Sequence, residues 1–134
     1  MARQLEKRTT LMQSANERLR DAKVLAKKEN KRYTGAVYLG GYVLECLLKA
    51  AICVVQSTER LSARYLTHEL DELLDATGYR SDIPREIDRK FADVTFWNVQ
   101  LRYQGKRYNA GEAQRFLKNV EEIRQWLIEK MESR

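Results

Sequence analysis

From Leu11 onward, apolar or small side chains recur at steps of three and four, through Ala15, Leu19, Ala22 and Leu25 or Ala26. This is one face of an amphipathic helix, with a seam of small residues that lets a neighbouring helix approach closely. Arg20, Lys23, Lys27 and Lys31 keep the same step on another line, a basic stripe that is either a solvated face or a phosphate contact. Arg32, Tyr33, Thr34 and Gly35 break the pattern, and Thr34 is the expected N-cap of the next helix. That second helix is apolar nearly all round, from Ala36 and Val37 through Leu39, Val43, Leu44, Leu47, Leu48, Ala51, Ile52, Val54 and Val55. Such a segment is enclosed by protein on most sides and forms the hub of a bundle. One line along it is polar: Tyr38, Tyr42, Glu45, Lys49 and Gln56 share a face. This face is expected to look toward a partner protomer or a cleft, with Tyr38, Tyr42 and Glu45 in a structural or dimer-forming role.

Residues 57–67 read as a polar connection in which Ser57 and Thr67 cap helix ends. His68 then opens a short amphipathic helix carrying Leu70, Leu73 and Leu74 and closed by Gly78. Pro84 suits the first turn of a fourth helix built on Ile83, Ile87, Phe91 and Val94. Between Val94 and Asn109 the residues Trp97, Val99, Leu101 and Tyr103 alternate with polar ones, which predicts an ordered loop, with a small β-hairpin as the alternative. A final helix runs from about Gly111 to Met131, with Ala113, Phe116, Val120, Ile123, Leu127 and Met131 inward. The fold class is therefore all-α, an up-and-down bundle of about five helices, three long and two short. It forms a single domain over residues 1–134, with 1–10 as a flexible start.

Composition supports helices: 43% of the 134 residues are hydrophobic and 33% charged, with six Gly and one Pro, too apolar for disorder and too poor in turn residues for a β-sandwich. Of the net charge of +6, all lies in residues 1–32, which hold ten basic and four acidic side chains. A patch of that sign attracts phosphates or an acidic partner. The run from Gly35 to Val55 is long enough to cross a bilayer, but Glu45 and Lys49 at its centre would each cost about 2.5–3.5 kcal/mol there, so a buried helix and no membrane contact are expected. Cys46 and Cys53, separated by roughly 10 Å of helical rise, cannot bridge each other. The polar start MARQLEKRTT lacks an apolar core of the secretory type, and a cytoplasmic location is the expectation.

Two groups of residues carry candidate chemistry. Glu45 and Lys49 have the favourable i, i+4 order for an ion pair; they are read as a structural or dimer contact, or as a Lys49 that holds a phosphate while Glu45 orients it. The stretch FWNVQLRYQGKRYN sets Phe96, Trp97, Tyr103 and Tyr108 among Arg102, Lys106 and Arg107. Aromatic faces stack on bases while cations track phosphates; the same residues equally suit a role in which Trp97 and Tyr103 plug the bundle and Arg102 ties down the loop. Gly40-Gly41 lies within a helix and reads as a close-packing device rather than a phosphate loop. One His and two Cys in poor geometry give no metal site, and no cofactor is expected.

The segment AVYLGGYVLECLLKAAI, followed by THELDELL and WNVQLRY, resembles the HEPN (higher eukaryotes and prokaryotes nucleotide-binding) domain family. The likeness is carried by Ala36, Tyr42, Glu45, Leu48, Lys49 and Ala50, then by His68, Leu70 and Leu73, and by the Arg102-Tyr103 pair, spanning about residues 12–130. The resemblance implies a helical bundle that dimerises, binds nucleotides or RNA, and works beside a nucleotidyltransferase partner in toxin–antitoxin or defence systems. Ribonuclease members of the family use an Arg and a His separated by four to six residues. Here Arg64 precedes His68 with three residues between and Arg60 with seven, so that spacing is missing. Metal-independent RNA cleavage needs a base near neutrality and a cation for the phosphorane, roles that His68 with Arg64 or Arg102 would fill if folding joins them. The leading expectation is a binding module that uses Lys49, Trp97, Arg102, Tyr103, Lys106 and Arg107. An endoribonuclease toxin with His68 and Arg102 as catalytic pair comes second, and a protein-interaction scaffold third.

Overall fold

The computed structural model describes residues 6–133. Five helices follow in order: α1 (Arg8–Leu25), α2 (Tyr33–Val55), α3 (Leu70–Thr77), α4 (Arg85–Gln104) and α5 (Ala110–Glu132), with single 3-10 turns at Ala63–Tyr65 and Tyr79–Asp82. Among the described residues there is no strand beyond an isolated bridge between Lys7 and Arg60. The bundle is all-α as expected, but four of its helices are long and one is short.

The difference lies in α4. Its helix does not stop near Val94 but runs to Gln104, where Gly105 closes it at φ 63°. The alternation that suggested a loop or hairpin comes from two helical faces read together. Phe91, Val94 and Asn98 point inward, while Phe96, Val99 and Tyr103, at steps of three and four, are exposed. Aromatic residues on the outer face hid the 3.6-residue period.

Helix α1 ends at Leu25, where the Asn30 side-chain amide donates to the Val24 carbonyl (2.7 Å) and the Arg32 amide donates to that of Leu25 (2.9 Å). Lys27 and Lys31 therefore leave the expected basic stripe and fall in the turn, Lys31 at φ 54°. Thr34 does not cap α2. It lies within the first turn, and its hydroxyl accepts the Tyr108 amide at 3.0 Å, tying α2 to the connection before α5. That connection ends in a reciprocal cap, in which the Asn109 side chain accepts the Glu112 amide and Glu112 accepts that of Asn109.

Helix α2 is the hub. Ala15 and Ala22 of α1 are fully buried, so the two helices meet along the small-residue seam, while α5 brings Phe116, Val120, Ile123 and Leu127 into the same core. A Cβ on Gly40 would lie 2.9 Å from the Phe116 ring, so this glycine lets α5 come close. Over its most apolar window α2 has mean hydropathy 1.7, high enough for a membrane span, but 78% of that window is buried within the protein. Peripheral pairs such as Lys23 with Glu121 and Lys90 with Glu122 (2.7 Å) join α5 to its neighbours; exposed pairs of this kind add little beside the apolar packing.

Of the stretch 1–10 expected to be flexible, residues 1–5 lie outside the described residues. From Glu6 the chain is held: the Leu61 amide donates to the Glu6 carbonyl (2.9 Å) and the Arg8 amide to that of Glu59 (2.7 Å). The start of α1 thus clamps the connection that follows α2.

Both cysteines are free and buried. Burial pushes the Cys46 thiol up to about 11, and this thiol, followed by burial, pushes the neighbouring Tyr42 hydroxyl up to about 12. Both groups hold their protons more tightly in the folded chain, so their contribution is intact below pH 9, the thiol's ordinary value, and is lost as pH rises toward 11. The midpoint of urea unfolding should be level from pH 7 to 8.5 and fall from pH 9 upward, with a smaller fall in Cys46→Ala; equal alkaline profiles would refute this assignment.

Candidate functional site

The polar line of α2 holds a buried carboxylate at its middle. Glu45 Oε2 accepts Lys49 Nζ at 2.9 Å, one turn along the same helix. Its Oε1 meets His68 Nδ1 at 2.9 Å and Arg102 Nη2 at 3.7 Å. Three segments converge on one group: α2 supplies Glu45 and Lys49, the connection before α3 supplies His68, and α4 supplies Arg102. Folding thus brings His68 to Arg102, joined through a single carboxylate oxygen. Arg64 instead sits in the 3-10 turn with its guanidinium 5.3 Å from the Tyr65 ring.

Exposure is graded across the cluster. The Glu45 and Lys49 side chains are 4% and 6% exposed, Arg102 is 16% and His68 62%. An ionised carboxylate only accepts hydrogen bonds, so His68 donates through Nδ1 and its other nitrogen remains for whatever approaches. Lys49 and Arg102 both touch one carboxylate, leaving an excess positive charge at the more exposed end.

Second contacts fix Arg102. Its Nε donates to Asn98 Oδ1 at 3.4 Å, one turn back on α4, and its guanidinium lies 5.2 Å from the Tyr38 ring centroid. A Cβ on Gly41 would fall 2.6 Å from that same Asn98 oxygen, so the glycine leaves room for the buried amide that orients Arg102. Asn98 is the site residue that sequence reading missed, whereas Gly41 is a close-packing glycine as expected. The signal was an i, i+4 pair, Asn98 with Arg102, on a helix whose period was not recognised.

His68 does not open α3. It precedes the helix by two residues, and Thr67 turns the chain there as its hydroxyl accepts the Glu69 amide at 3.1 Å. Upstream, Leu61 is buried and Gln56 donates to the Tyr65 hydroxyl at 2.9 Å. Ser57 takes a positive φ of 54° just past α2.

The aromatic and basic stretch divides. Trp97 stacks on Tyr108 (centroids 4.9 Å apart) and on Phe116 (5.8 Å), with Arg115 5.6 Å from its ring, so it packs the α4–α5 junction. Tyr103 is exposed at the end of α4, and Lys106 lies 5.8 Å from the Tyr108 ring. Arg107 belongs to another cleft, with Lys31 and Arg32. Among the described residues no three His, Cys, Asp or Glu side chains form a group able to hold a metal ion.

The HEPN domain family model matches residues 9–131. The chain belongs to the HEPN domain family. Comparisons with curated proteins and with solved structures gave no match. Membership supports a nucleotide- or RNA-related module in general terms, and HEPN domains commonly dimerise. Within this HEPN domain, Glu45 on the polar line of α2 meets the His68 connection and α4 of its own subunit.

Removing Glu45 would leave Lys49 buried beside Arg102 with no countercharge, a loss of about 3–5 kcal/mol by the usual cost of orphaning a buried ion. Glu45→Ala should therefore unfold at markedly lower urea, whereas His68→Ala, which removes an exposed ring, should lie within about 1 kcal/mol of wild type. Equal unfolding midpoints for Glu45→Ala and wild type would contradict the assignment of Glu45 as the cluster's anchor.

Proposed function

We propose that this HEPN domain is a cytoplasmic nucleotide- or RNA-binding module that acts as a homodimer, with a nucleotidyltransferase partner in a toxin–antitoxin or defence setting. The observation that carries the binding role is the cationic excess around Glu45, held rigidly and open to solvent at Arg102 and His68. A phosphate docks on the free guanidinium N–H groups of Arg102, beside the His68 ring. Lys49, too buried to meet a ligand of any size, acts through Glu45 by holding its carboxylate between the two. Tyr103, the neighbour of Arg102 on α4, is exposed, whereas Lys106 lies against the Tyr108 ring.

One observation favours a second reading, an endoribonuclease. A carboxylate on His68 Nδ1 fixes the tautomer whose other nitrogen can take a proton from a ribose hydroxyl, with Arg102 near to meet phosphorane charge. Affinity for a short single-stranded RNA should fall steeply with salt and about tenfold in Arg102→Gln, roughly 1.4 kcal/mol. The RNA is expected to stay intact in EDTA. Cleavage that His68→Ala abolishes would instead establish the ribonuclease, and salt-independent weak binding would favour the scaffold.

Dimerisation is supported by the outer face of α4, where Phe96, Val99 and Tyr103 form an exposed apolar line next to Tyr38 and Arg102. A second copy covering this line would set two Glu45 clusters close to one another. Phe96→Lys should convert a dimer to a monomer in light scattering with the helical content retained; a wild-type chain that is monomeric at high concentration would exclude this interface.

A further inference from the structure

A second basic cleft lies at the start of α2. About 580 Å3 in volume, it is lined by Lys31 and Arg32, by Arg107 from the connection before α5, and by Tyr33, Thr34 and Tyr108. Lys31, Arg32 and Arg107 are exposed, and among the described residues no carboxylate lines the cleft or pairs with any of the three. Lys23 and Arg18 on α1, by contrast, are paired with Glu121 and Asp21. Three like charges kept together with no countercharge raise the local potential for an anion. The cleft is also built: the Tyr108 amide is held by Thr34 and the Tyr108 hydroxyl donates to the Trp97 carbonyl at 3.0 Å, which fixes the backbone next to Arg107.

Its position relative to the Glu45 cluster decides what it binds. Thr34 and Tyr38 are one turn apart on α2, and Glu45 lies two turns further along the same face, so cleft and cluster are separated by roughly 16 Å of helical rise. Between them stands the exposed Tyr38 ring with the Arg102 guanidinium against it. One nucleotide cannot reach both ends, whereas about three nucleotides of extended single strand can, with an aromatic ring midway for a base.

Resting on the binding role proposed above, we infer that the Lys31, Arg32 and Arg107 cleft is a second phosphate subsite. The ligand of this HEPN domain is then a single-stranded oligonucleotide of at least four residues rather than a mononucleotide. The strand runs along α2, with one phosphate on Arg102 and His68, a base at Tyr38 and a later phosphate in the cleft.

The test compares a fluorescent dinucleotide with an octanucleotide RNA, using the wild-type chain, the double variant Arg32→Ala/Arg107→Ala and Arg102→Gln. The Arg32 side chain makes no cap hydrogen bond to α2 and both substituted residues are exposed, so circular dichroism should be unchanged. The octanucleotide should bind wild type at least tenfold more tightly than the dinucleotide. The double variant should lose that gain, together with about 0.7 of the slope of log K on log salt, while keeping wild-type affinity for the dinucleotide. Arg102→Gln should weaken both ligands. Equal affinity for the two lengths, or an octanucleotide that binds the double variant as it binds wild type, would overturn the second subsite while Arg102-dependent dinucleotide binding stands. Failure of wild type to bind either ligand would overturn both the subsite and the binding role.

Discussion

A carboxylate inside an apolar helix is the constraint around which this protein is arranged. Glu45 sits in the middle of α2, among leucines and alanines that are wholly buried, where an unpaired negative charge is untenable. Lys49 on the same helix meets one of its oxygens; the other is met by His68 and Arg102 from two separate segments. The folded chain must therefore bring the His68 connection and the end of α4 onto α2 together, because either alone leaves the site half satisfied. The clamp of Glu6 and Arg8 on residues 59–61 and the Asn98 contact to Arg102 act on those same two segments.

The sequence made the architecture readable where one face of a helix is plainly apolar. Helices α1, α2 and α5 announce themselves by period, and the polar line of α2 picks out Tyr38, Tyr42, Glu45 and Lys49 before any coordinates. Helix α4 was obscured because its outer face bears Phe96, Val99 and Tyr103, so apolar residues occur on both sides and mimic a strand's alternation. The same ambiguity concealed Asn98, whose partnership with Arg102 depends on helical spacing. Spacing alone also could not join His68 to Arg102, since 33 residues, with all of α3 and most of α4, intervene and only the shared carboxylate brings them together. The division of the aromatic and basic stretch has a similar origin: Gly105 ends α4 and turns the chain, leaving Arg102 between Tyr38 and Glu45 and sending Arg107 to the start of α2.

Burial assigns different work to chemically similar cations. Lys49 and Arg102 both touch Glu45, but Lys49 lies deep and its charge is spent inside the protein, whereas Arg102 keeps a partly exposed guanidinium with donors in a fixed plane. His68, more exposed still, turns the rest of its ring to solvent while its Nδ1 is held on the carboxylate. A ligand arriving at this surface meets the planar cation and the imidazole first, with the carboxylate behind them fixing both and unable to repel the ligand at close range. Reversing that order, with the carboxylate outside, would give a cation site from the same residues. The order is set by α2: because the helix is enclosed, its acidic residue must face inward against its partners, and what remains for the solvent is positive.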